Sequence, residues 1–239
     1  MRGDKLPIEE ALSRRCIADT SLLNNFVHSA SAWVLERLLG RPVCLSPTVL
    51  DVEETRLPDF PRTEPTSEFL RPLHMAGLPG YSEYRKIAPY IQSFALGAGD
   101  LWEPVEPSKE ELALAARLSN RTIRSEVRRV CPETGRNRAE LNPGEAEAAA
   151  IAITRGWTFL TDDQASVELL SCLYPDVPVQ RTCALLVHTV EKEALTCEEA
   201  SELFNRRMVD ELGFWATRRL DGTRQRLWLR CDPTRCLWE

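Results

Sequence analysis

The sequence is poor in histidine and has no Cys-x-x-Cys pair, although Cys231 and Cys236 are close enough in sequence to pair under oxidation. Its three histidines, His28, His74 and His188, lie far apart in the 239-residue chain. None of its eight cysteines belongs to a Cys-x-x-Cys motif. Because structural zinc sites are built from closely spaced His and Cys ligands, we expect no zinc site. The cysteines are scattered through apolar surroundings, so we expect reduced and buried thiols, as in a cytosolic protein.

Long apolar runs are missing as well. No stretch approaches the roughly 18 consecutive apolar residues of a transmembrane helix, so we expect no membrane partner. The first residues, MRGDKLPIEEALSRR, include acids and contain no apolar core, and we expect no signal peptide. Together with the expected reduced thiols, these absences predict a cytoplasmic location.

An excess of positive charge is also absent. The chain has 30 Lys and Arg against 36 Asp and Glu, which gives a formal net charge of -6. This balance argues against non-specific coating of nucleic acid, although it is compatible with a local basic groove. The hydrophobic content of 43% is enough for a core, and the length fits one large domain or one domain with an appendage.

The most informative stretch is 141–163, LNPGEAEAAAIAITRGWTFLTDD. Asn142 is a favourable N-cap and Pro143 a favourable first residue of a helix that Gly156 would end. Glu145 falls in the first turn, where the helix dipole favours a carboxylate. The stretch therefore predicts a helix that begins next to Asn142 and carries an acid at its start.

A short apolar run, 158–161, follows this helix and predicts a buried strand. Asp162 and Asp163 come directly after it. Open α/β sheets bind ligands at the carboxyl ends of their strands, so these acids are candidates for a binding site. In the simpler alternative, Glu145 is only a helix-start charge, and the two aspartates only form a turn and the next N-cap.

Two further acids lie near predicted strand ends. The apolar run RCIAD ends in Asp19, where a helix begins, and in the simpler alternative Asp19 only caps that helix. A second short strand at 43–45 leads into a helix that contains Glu53. Because Glu53 shares a helix face with Val49 and Leu50, it is expected to point inward. An inward glutamate is unusual unless it is paired or binds a metal.

The predicted strands alternate with helices in the order β-α-α-β-α, an insertion, and then α-α-β-α-β-α-α. This alternation predicts an α/β fold with a mainly parallel sheet and helices on both faces. We expect one domain over 1–215, with a Pro-rich insertion at about 55–107 and an Arg-rich helix at 108–130. A short C-terminal appendage is expected at 216–239.

The Arg-rich helix is the most basic part of the chain. If it runs unbroken to Val130, its arginines are spaced so that one face carries all of them. Such a face is a candidate for binding phosphates of a nucleic acid, and an ordinary solvated surface is the alternative. The arginines concerned are Arg117, Arg121, Arg124 and Arg128.

Several acids at one edge of a parallel sheet repel each other unless cations hold them. A ligand set of oxygens alone favours Mg²⁺ or Mn²⁺ over Zn²⁺. Such ions activate water and stabilise the transition state of phosphodiester cleavage. The residues alone therefore predict metal-dependent phosphoryl chemistry. A small-molecule phosphatase is less favoured, because no DxDx motif follows the first predicted strand.

These motifs, taken in order, resemble those of the PIN-domain nuclease family. ADTSLLNNF is similar to the first motif, SPTVLDVEE to the second, and NPGEAEAAAIAITRGWTFLTDD to the third and fourth together. The segment VPVQRTCALLVHTVEKEALTCEEASELFNRRM resembles part of one PIN subgroup. The resemblance covers about 1–60 and 100–215. The chain departs from the family by its length and by lacking an arginine after the last acidic pair.

The resemblance implies a PIN-like three-layer α/β/α fold and a Mg²⁺- or Mn²⁺-dependent endoribonuclease. The enzyme would hydrolyse single-stranded or structured RNA and leave 5′-phosphate and 3′-hydroxyl ends. The implied catalytic metal ligands are Asp19, Glu53, Glu145 and Asp163, with Asp162 as an additional acid, and the implied supporting residues are Thr20, Ser21, Asn24 and Thr161. Glu147 is an alternative third ligand, but it should point elsewhere, so Glu145 is preferred.

The implied partner is RNA. The compact toxins of toxin–antitoxin pairs resemble this core, so an antitoxin or regulatory protein that blocks the acidic cleft is a further candidate partner. A homodimer is another. The alternative function is that of a catalytically inactive PIN-fold protein that binds RNA or regulates a partner. The complete set of acids argues against this alternative, because inactive sites usually lose a ligand.

Overall fold

The computed structural model describes residues 6–50, 69–70, 73, 75–79, 82, 84–132 and 140–212, and the backbone of four short strands between 217 and 238. The helices are α1 (Ile8–Ser13), α2 (Thr20–His28), α3 (Ala32–Leu39), α4 (Pro47–Leu50), α5 (Tyr84–Leu96), α6 (Lys109–Ser119), α7 (Ile123–Val130), α8 (Pro143–Arg155), α9 (Gln164–Leu173), α10 (Thr182–Glu191) and α11 (Cys197–Ser201). Helix α11 continues as a π-helical segment over Glu202–Glu211.

The central sheet has five parallel strands in the order β3-β2-β1-β4-β5. Its strands are β1 (Cys16–Ala18), β2 (Val43–Leu45), β3 (Trp102–Pro104), β4 (Thr158–Leu160) and β5 (Val179–Gln180). In register, Ala18 of β1 lies between Leu45 of β2 and Leu160 of β4. The predicted α/β fold with a mainly parallel sheet is therefore confirmed.

Strand β3 was not predicted, because it lies at the end of the stretch interpreted as an insertion. It has three residues, and its last one is Pro104. A proline cannot donate a ladder hydrogen bond, so it is tolerated at an edge strand and weakens the strand signal in the sequence. The sheet therefore includes part of the predicted insertion.

Helices cover both faces of the sheet. Along β1, Cys16 and Ala18 belong to one buried apolar cluster, and Ile17 belongs to another. This alternation is the two-residue period of a strand that is buried on both sides. Helices α2, α3 and α10 contribute to the first cluster, and α6, α7, α8 and α9 to the second. The arrangement is compatible with a three-layer α/β/α architecture.

Helix α8 begins and ends where the sequence predicted. The Glu145 carboxylate accepts a hydrogen bond from the backbone N–H of Asn142 at 2.9 Å, and this contact is one half of a capping box. Gly156 ends the helix in the left-handed conformation, with a φ of 66°. The buried alanines in between allow α8 to pack closely against α6. They are Ala146, Ala148, Ala149, Ala150 and Ala152.

The expected Arg-rich helix is broken into two helices, α6 and α7. The break is at Asn120, whose ψ of 139° is extended. The Asn120 side chain accepts a hydrogen bond from the backbone N–H of Thr122 at 2.9 Å, which stabilises a turn in competition with the helix. The prediction of one unbroken helix that carries all its arginines on a single face is therefore wrong.

The expectation of reduced thiols is also wrong for part of the chain. Cys131 and Cys172 form a disulfide with a Cα–Cα distance of 6.0 Å and a sequence separation of 41 residues. Cys197 is disulfide-bonded as well. Among the cysteines whose side chains the structure describes, Cys16, Cys44 and Cys183 are free. Nothing in the local sequence shows that residues so far apart meet, so the pairing had no sequence signal.

The chain ends in two β-hairpins whose strands start close to the predicted appendage boundary. Strands β6 (Thr217–Leu220) and β7 (Thr223–Arg226) pair antiparallel, as do β8 (Leu229–Asp232) and β9 (Arg235–Trp238). The two hairpins form separate two-stranded sheets. Within the described ranges, no helix combines the length and the apolar character needed to cross a lipid bilayer.

Candidate functional site

The candidate site lies where the strand order of the sheet reverses. From β1 the chain adds β2 and β3 on one side, and it later adds β4 and β5 on the other. The carboxyl ends of β1 and β4 therefore border the crevice in which open α/β sheets bind ligands. Asp19 directly follows β1, and Thr161, Asp162 and Asp163 directly follow β4. The topology brings these acids to the same edge of the sheet.

Asp19 is fully buried and accepts hydrogen bonds on both carboxylate oxygens. The backbone N–H of Leu22 donates to Oδ1 at 3.0 Å, so Asp19 caps helix α2. The Ser21 hydroxyl donates to the same oxygen at 2.8 Å, and the Thr161 hydroxyl donates to Oδ2. The carboxylate is therefore held in one orientation by contacts from both sides of the crevice.

Thr161 connects Asp19 to Asp163. The Thr161 hydroxyl donates to the Asp19 carboxylate and accepts a hydrogen bond from the backbone N–H of Asp163 at 3.0 Å. The Asp163 side chain accepts from the backbone N–H of Ser166 at 2.6 Å and thereby caps helix α9. One hydroxyl thus bridges the carboxylate of the first predicted acid and the backbone of the last.

The Asp19 carboxyl has a strongly perturbed acidity. Its pKa is raised to about 8, first by burial and to a smaller extent by the negative charge of Glu145. Hydrogen bonds from Thr161, Leu22 and Ser21 act in the opposite direction. Among the residues that the structure describes, no Lys or Arg forms an ion pair with Asp19. The site is therefore acidic, and negative charges on Asp19 and Glu145 repel each other.

Glu145 is brought to this edge by the packing of the α8 N-terminus. A Cβ built on Gly144 would lie 3.5 Å from Val49 Cγ2 and 3.9 Å from Thr20 Oγ1, which is ordinary van der Waals contact. The start of α8 thus packs against α4 and the start of α2. Glu145 itself is held by Asn142, whose backbone and side-chain N–H groups donate at 2.9 and 3.2 Å.

Glu147 points to a different neighbour. Its side chain is fully buried, and it accepts hydrogen bonds from the Thr48 backbone N–H at 3.2 Å and from the Thr48 hydroxyl at 2.7 Å. Both carboxylate oxygens of Glu147 therefore have partners within the protein. This contact supports Glu145 over Glu147 as the third acid. The contact of Glu147 with α4 was not predicted, because Thr48 lies 99 residues away in the chain.

Asp162 is also occupied by protein partners. Its carboxylate accepts from Asn25 Nδ2 at 2.8 Å, from the Thr182 backbone N–H at 3.2 Å and from the Thr182 hydroxyl. Arg181 Nε lies 3.6 Å from it. Burial raises the pKa of Asp162, and the contacts with Thr182, Arg181 and Asn25 oppose that rise. We interpret Asp162 as a tie between β4, α2 and α10, which sequence reasoning missed.

Of the predicted supporting residues, Ser21 and Thr161 contact Asp19 directly. Ser21 donates to Asp19 and accepts a hydrogen bond from the backbone N–H of Asp162 at 3.0 Å. Thr20 lies beside the start of α8. Asn24 follows one helical turn later, and its buried Oδ1 has no hydrogen-bond partner in the described part of the chain. A buried oxygen without a donor is unusual, and a cation or water would satisfy it.

Three of the four predicted metal ligands, Asp19, Glu145 and Asp163, lie within the described residues. Glu53 lies outside the described residues. Within the described ranges, no three His, Cys, Asp or Glu side chains already surround a common metal position. Two observations nevertheless fit a hard divalent cation. Negative charges on Asp19 and Glu145 repel each other. The side-chain carbonyl oxygen of Asn24 is buried and has no hydrogen-bond donor among the described residues.

The predicted phosphate-binding arginines do not lie on one continuous helix. Arg117 donates to both oxygens of Glu126, at 2.6 and 2.8 Å, and this contact raises the pKa of Arg117. Arg124 pairs with Glu140. Arg117 lies on α6, whereas the other predicted arginines, Arg121, Arg124 and Arg128, lie beyond the break at Asn120. Two of the four guanidinium groups, those of Arg117 and Arg124, therefore already form ion pairs with glutamates.

A separate cleft of about 290 Å³ lies at the opposite end of α2. Its lining includes His28, Tyr90 and Arg207, and none of the predicted site residues. Burial lowers the pKa of His28 to about 4, so this histidine is neutral at physiological pH. The cleft is thus not the predicted acidic site.

Comparisons with known proteins give no family assignment. No family model matches the chain, and no significant match was found to a curated protein or to a solved structure.

Proposed function

We propose that the chain is a Mg²⁺- or Mn²⁺-dependent endoribonuclease whose metal site contains Asp19, Glu145 and Asp163. The observation that carries this proposal is the contact of Asp19 with the β4 end through Thr161. It places two acids on either side of the crevice at which the strand order reverses. Glu53 is the proposed fourth ligand, on the motif resemblance alone.

The electrostatics of the site support a cation as its ligand. A fully buried aspartate whose pKa is raised to about 8 is costly to ionise in the free protein. A divalent cation would offset both the loss of hydration and the repulsion from Glu145. Oxygen ligands favour Mg²⁺ and Mn²⁺, which matches the chemistry that the PIN resemblance implies.

The chain's own residues would contribute mainly orientation. Bound Mg²⁺ or Mn²⁺ would supply Lewis-acid stabilisation of a phosphodiester transition state and would acidify water. Asp19 is fixed by Ser21, Leu22 and Thr161, so it needs little reorganisation to act as a ligand. Asn142 fixes Glu145 in the same way. The occupied arginines Arg117 and Arg124 give no support for an RNA-binding face on α6 and α7.

The alternative is a catalytically inactive protein that binds RNA or regulates a partner. One observation favours it, since protein donors already occupy both Asp19 oxygens. A carboxylate with these hydrogen bonds can have a purely structural role. Calorimetric titration with Mn²⁺ separates the two functions, because the inactive protein would bind no Mn²⁺ at millimolar concentration.

The proposal is tested by RNA cleavage. We expect the wild-type protein to cleave single-stranded RNA with Mn²⁺, and we expect Asp19→Asn and Asp163→Asn to lose at least about 100-fold in rate, the scale of a lost catalytic group. Asp176→Asn is the matched control, because Asp176 is exposed and is not one of the proposed site residues. If both site variants cleave as fast as the control, the assignment is wrong.

A further inference from the structure

Glu147 is a buried carboxylate that the proposed metal site does not use. Glu147 lies on α8, and its side chain is fully buried. Glutamates are rarely buried completely unless they are paired, because an ionised carboxylate loses its hydration. The described partner of Glu147 is Thr48, which donates through its backbone N–H at 3.2 Å and its hydroxyl at 2.7 Å.

The Thr48 backbone N–H is one of the groups that a helix leaves unsatisfied. Thr48 is the second residue of α4, so its N–H has no acceptor within that helix. Glu147 supplies the acceptor from a different helix, 99 residues away in sequence. The contact therefore fixes the start of α4 to α8 by two hydrogen bonds at one carboxylate.

The same short segment of α8 carries both Glu145 and Glu147. Residues two positions apart point to nearly opposite sides of a helix, because each residue turns the helix by about 100°. Glu145 lies close enough to Asp19 to raise its pKa, whereas Glu147 contacts Thr48. Movement of α8 against α4 would therefore displace Glu145 relative to Asp19.

We propose that Glu147 is a positioning residue that sets the distance between Glu145 and Asp19 by holding α8 to Thr48. This inference rests on the proposed function, because it assigns Glu147 a role in the affinity of the same metal site. The start of α8 lies next to α4 at this point, since a Cβ built on Gly144 would be in ordinary van der Waals contact with Val49. Glu147 itself does not bind the metal.

A second buried glutamate provides a matched control. Glu111 on α6 has a side chain that is only 2% exposed, and it pairs with Arg155 of α8 at 2.7 Å. It therefore ties the same helix α8 to a neighbour, but at the end remote from Glu145. Glu111→Gln and Glu147→Gln make the same replacement of a buried carboxyl group by an amide. The first alters a contact at the C-terminal end of α8 and the second a contact at its N-terminal end.

The test is Mn²⁺ affinity by calorimetry, with the free energy of unfolding measured in urea. We expect Glu147→Gln and Thr48→Val to bind Mn²⁺ about tenfold more weakly, at the lower end of effects seen for groups that orient metal ligands. RNA cleavage by both variants should recover at saturating Mn²⁺. Thr48→Ser retains the hydroxyl and should bind Mn²⁺ like the wild type. Glu111→Gln should lose stability but keep wild-type affinity.

Different results overturn different claims. If the folded Glu147→Gln and Thr48→Val variants bind Mn²⁺ like the wild type, Glu147 has no positioning role, and the proposed nuclease is unaffected. If Glu111→Gln weakens Mn²⁺ binding equally, Glu147 acts only through general stability. If the wild-type protein binds no Mn²⁺, the proposed function itself fails. Thr48→Val is the milder variant, because it keeps the backbone N–H contact with Glu147. If Glu147→Gln does not fold, the Mn²⁺ affinity of Thr48→Val tests the positioning role.

Discussion

The hydroxyl of Thr161 donates a hydrogen bond to the carboxylate of Asp19, and these two residues are 142 positions apart in the chain. The same hydroxyl accepts from the backbone N–H of Asp163. It therefore joins the ends of two neighbouring parallel strands at the point where the strand order reverses. The proposed metal site depends on this contact more than on any other.

The Thr161 hydroxyl is expected to matter for both stability and activity. Thr161→Val removes one of the hydrogen-bond donors to the Asp19 carboxylate and the acceptor of the Asp163 backbone N–H. Loss of one partner of a buried hydrogen bond costs about 1–3 kcal/mol. We expect a loss of that size in urea unfolding and at least about tenfold slower RNA cleavage. Thr161→Ser, which keeps the hydroxyl, should stay close to the wild type. Equal cleavage by the Val and Ser variants would contradict this role.

The raised pKa of Asp19 predicts a pH-dependent stability of the metal-free protein. The carboxyl has a pKa of about 8 in the fold, against 3.8 for an aspartate in an unfolded chain. Between these values the folded chain keeps a proton that the unfolded chain has lost, so this contribution to stability is complete below about pH 4 and falls as the pH rises to 8. Asp19→Asn should abolish the fall.

The measurement is urea unfolding at pH 5 and pH 8 in the presence of a metal chelator. At pH 8 we expect Asp19→Asn to be more stable than the wild type, by an amount on the order of a few kcal/mol. At pH 5 the difference should shrink, because Asp19 is then protonated in the wild-type fold. If both proteins lose the same stability between the two pH values, the Asp19 carboxyl is already ionised in the fold at pH 5 and its pKa is not raised.

The disulfide between Cys131 and Cys172 closes a loop that contains Glu145, Asp162 and Asp163. Cross-linking a loop of this length should stabilise the fold by about 2–4 kcal/mol, mainly by restricting the unfolded chain. The double variant Cys131→Ser/Cys172→Ser should lose that amount in urea unfolding. Cys183→Ser changes a free cysteine and is the control. A double variant as stable as the control would show that the bond contributes nothing.

The arginines of α6 and α7 are expected to contribute little to RNA binding. Arg117 and Arg124 are engaged by Glu126 and Glu140. We therefore expect Arg117→Ala and Arg124→Ala to leave the salt dependence of RNA binding unchanged. Loss of a true phosphate contact would instead lower the slope of log affinity against log salt by about one. Fluorescence anisotropy at several salt concentrations measures this slope, and a reduced slope for either variant would contradict the expectation.

Local signals in the sequence were sufficient to predict helices whose ends are set by neighbouring residues. Asn142, Pro143 and Gly156 fix the ends of α8 by chemistry within a few residues, so its bounds were predictable. The strand ends that carry Asp19 and Asp162 were predictable from short apolar runs. Since parallel strands place their carboxyl ends at one edge, the meeting of these acids was predictable as well.

The features that sequence reasoning missed depend on long-range contacts. The break at Asn120 depends on a side chain that competes with the helix, and an arginine count does not reveal it. Asn25 and Thr182 reach Asp162 from elements 137 and 20 residues away. The tie between Glu147 and Thr48 is similarly remote. Such contacts are set by the packing of whole elements and leave no periodic pattern.

The most direct test of the proposed metal site is anomalous diffraction from crystals soaked in Mn²⁺. The account predicts an anomalous peak within ligand distance of an Asp19 oxygen and of at least one oxygen from Glu145 or Asp163. A peak elsewhere on the molecule, or no peak at a saturating Mn²⁺ concentration, would contradict the account and with it the proposed nuclease.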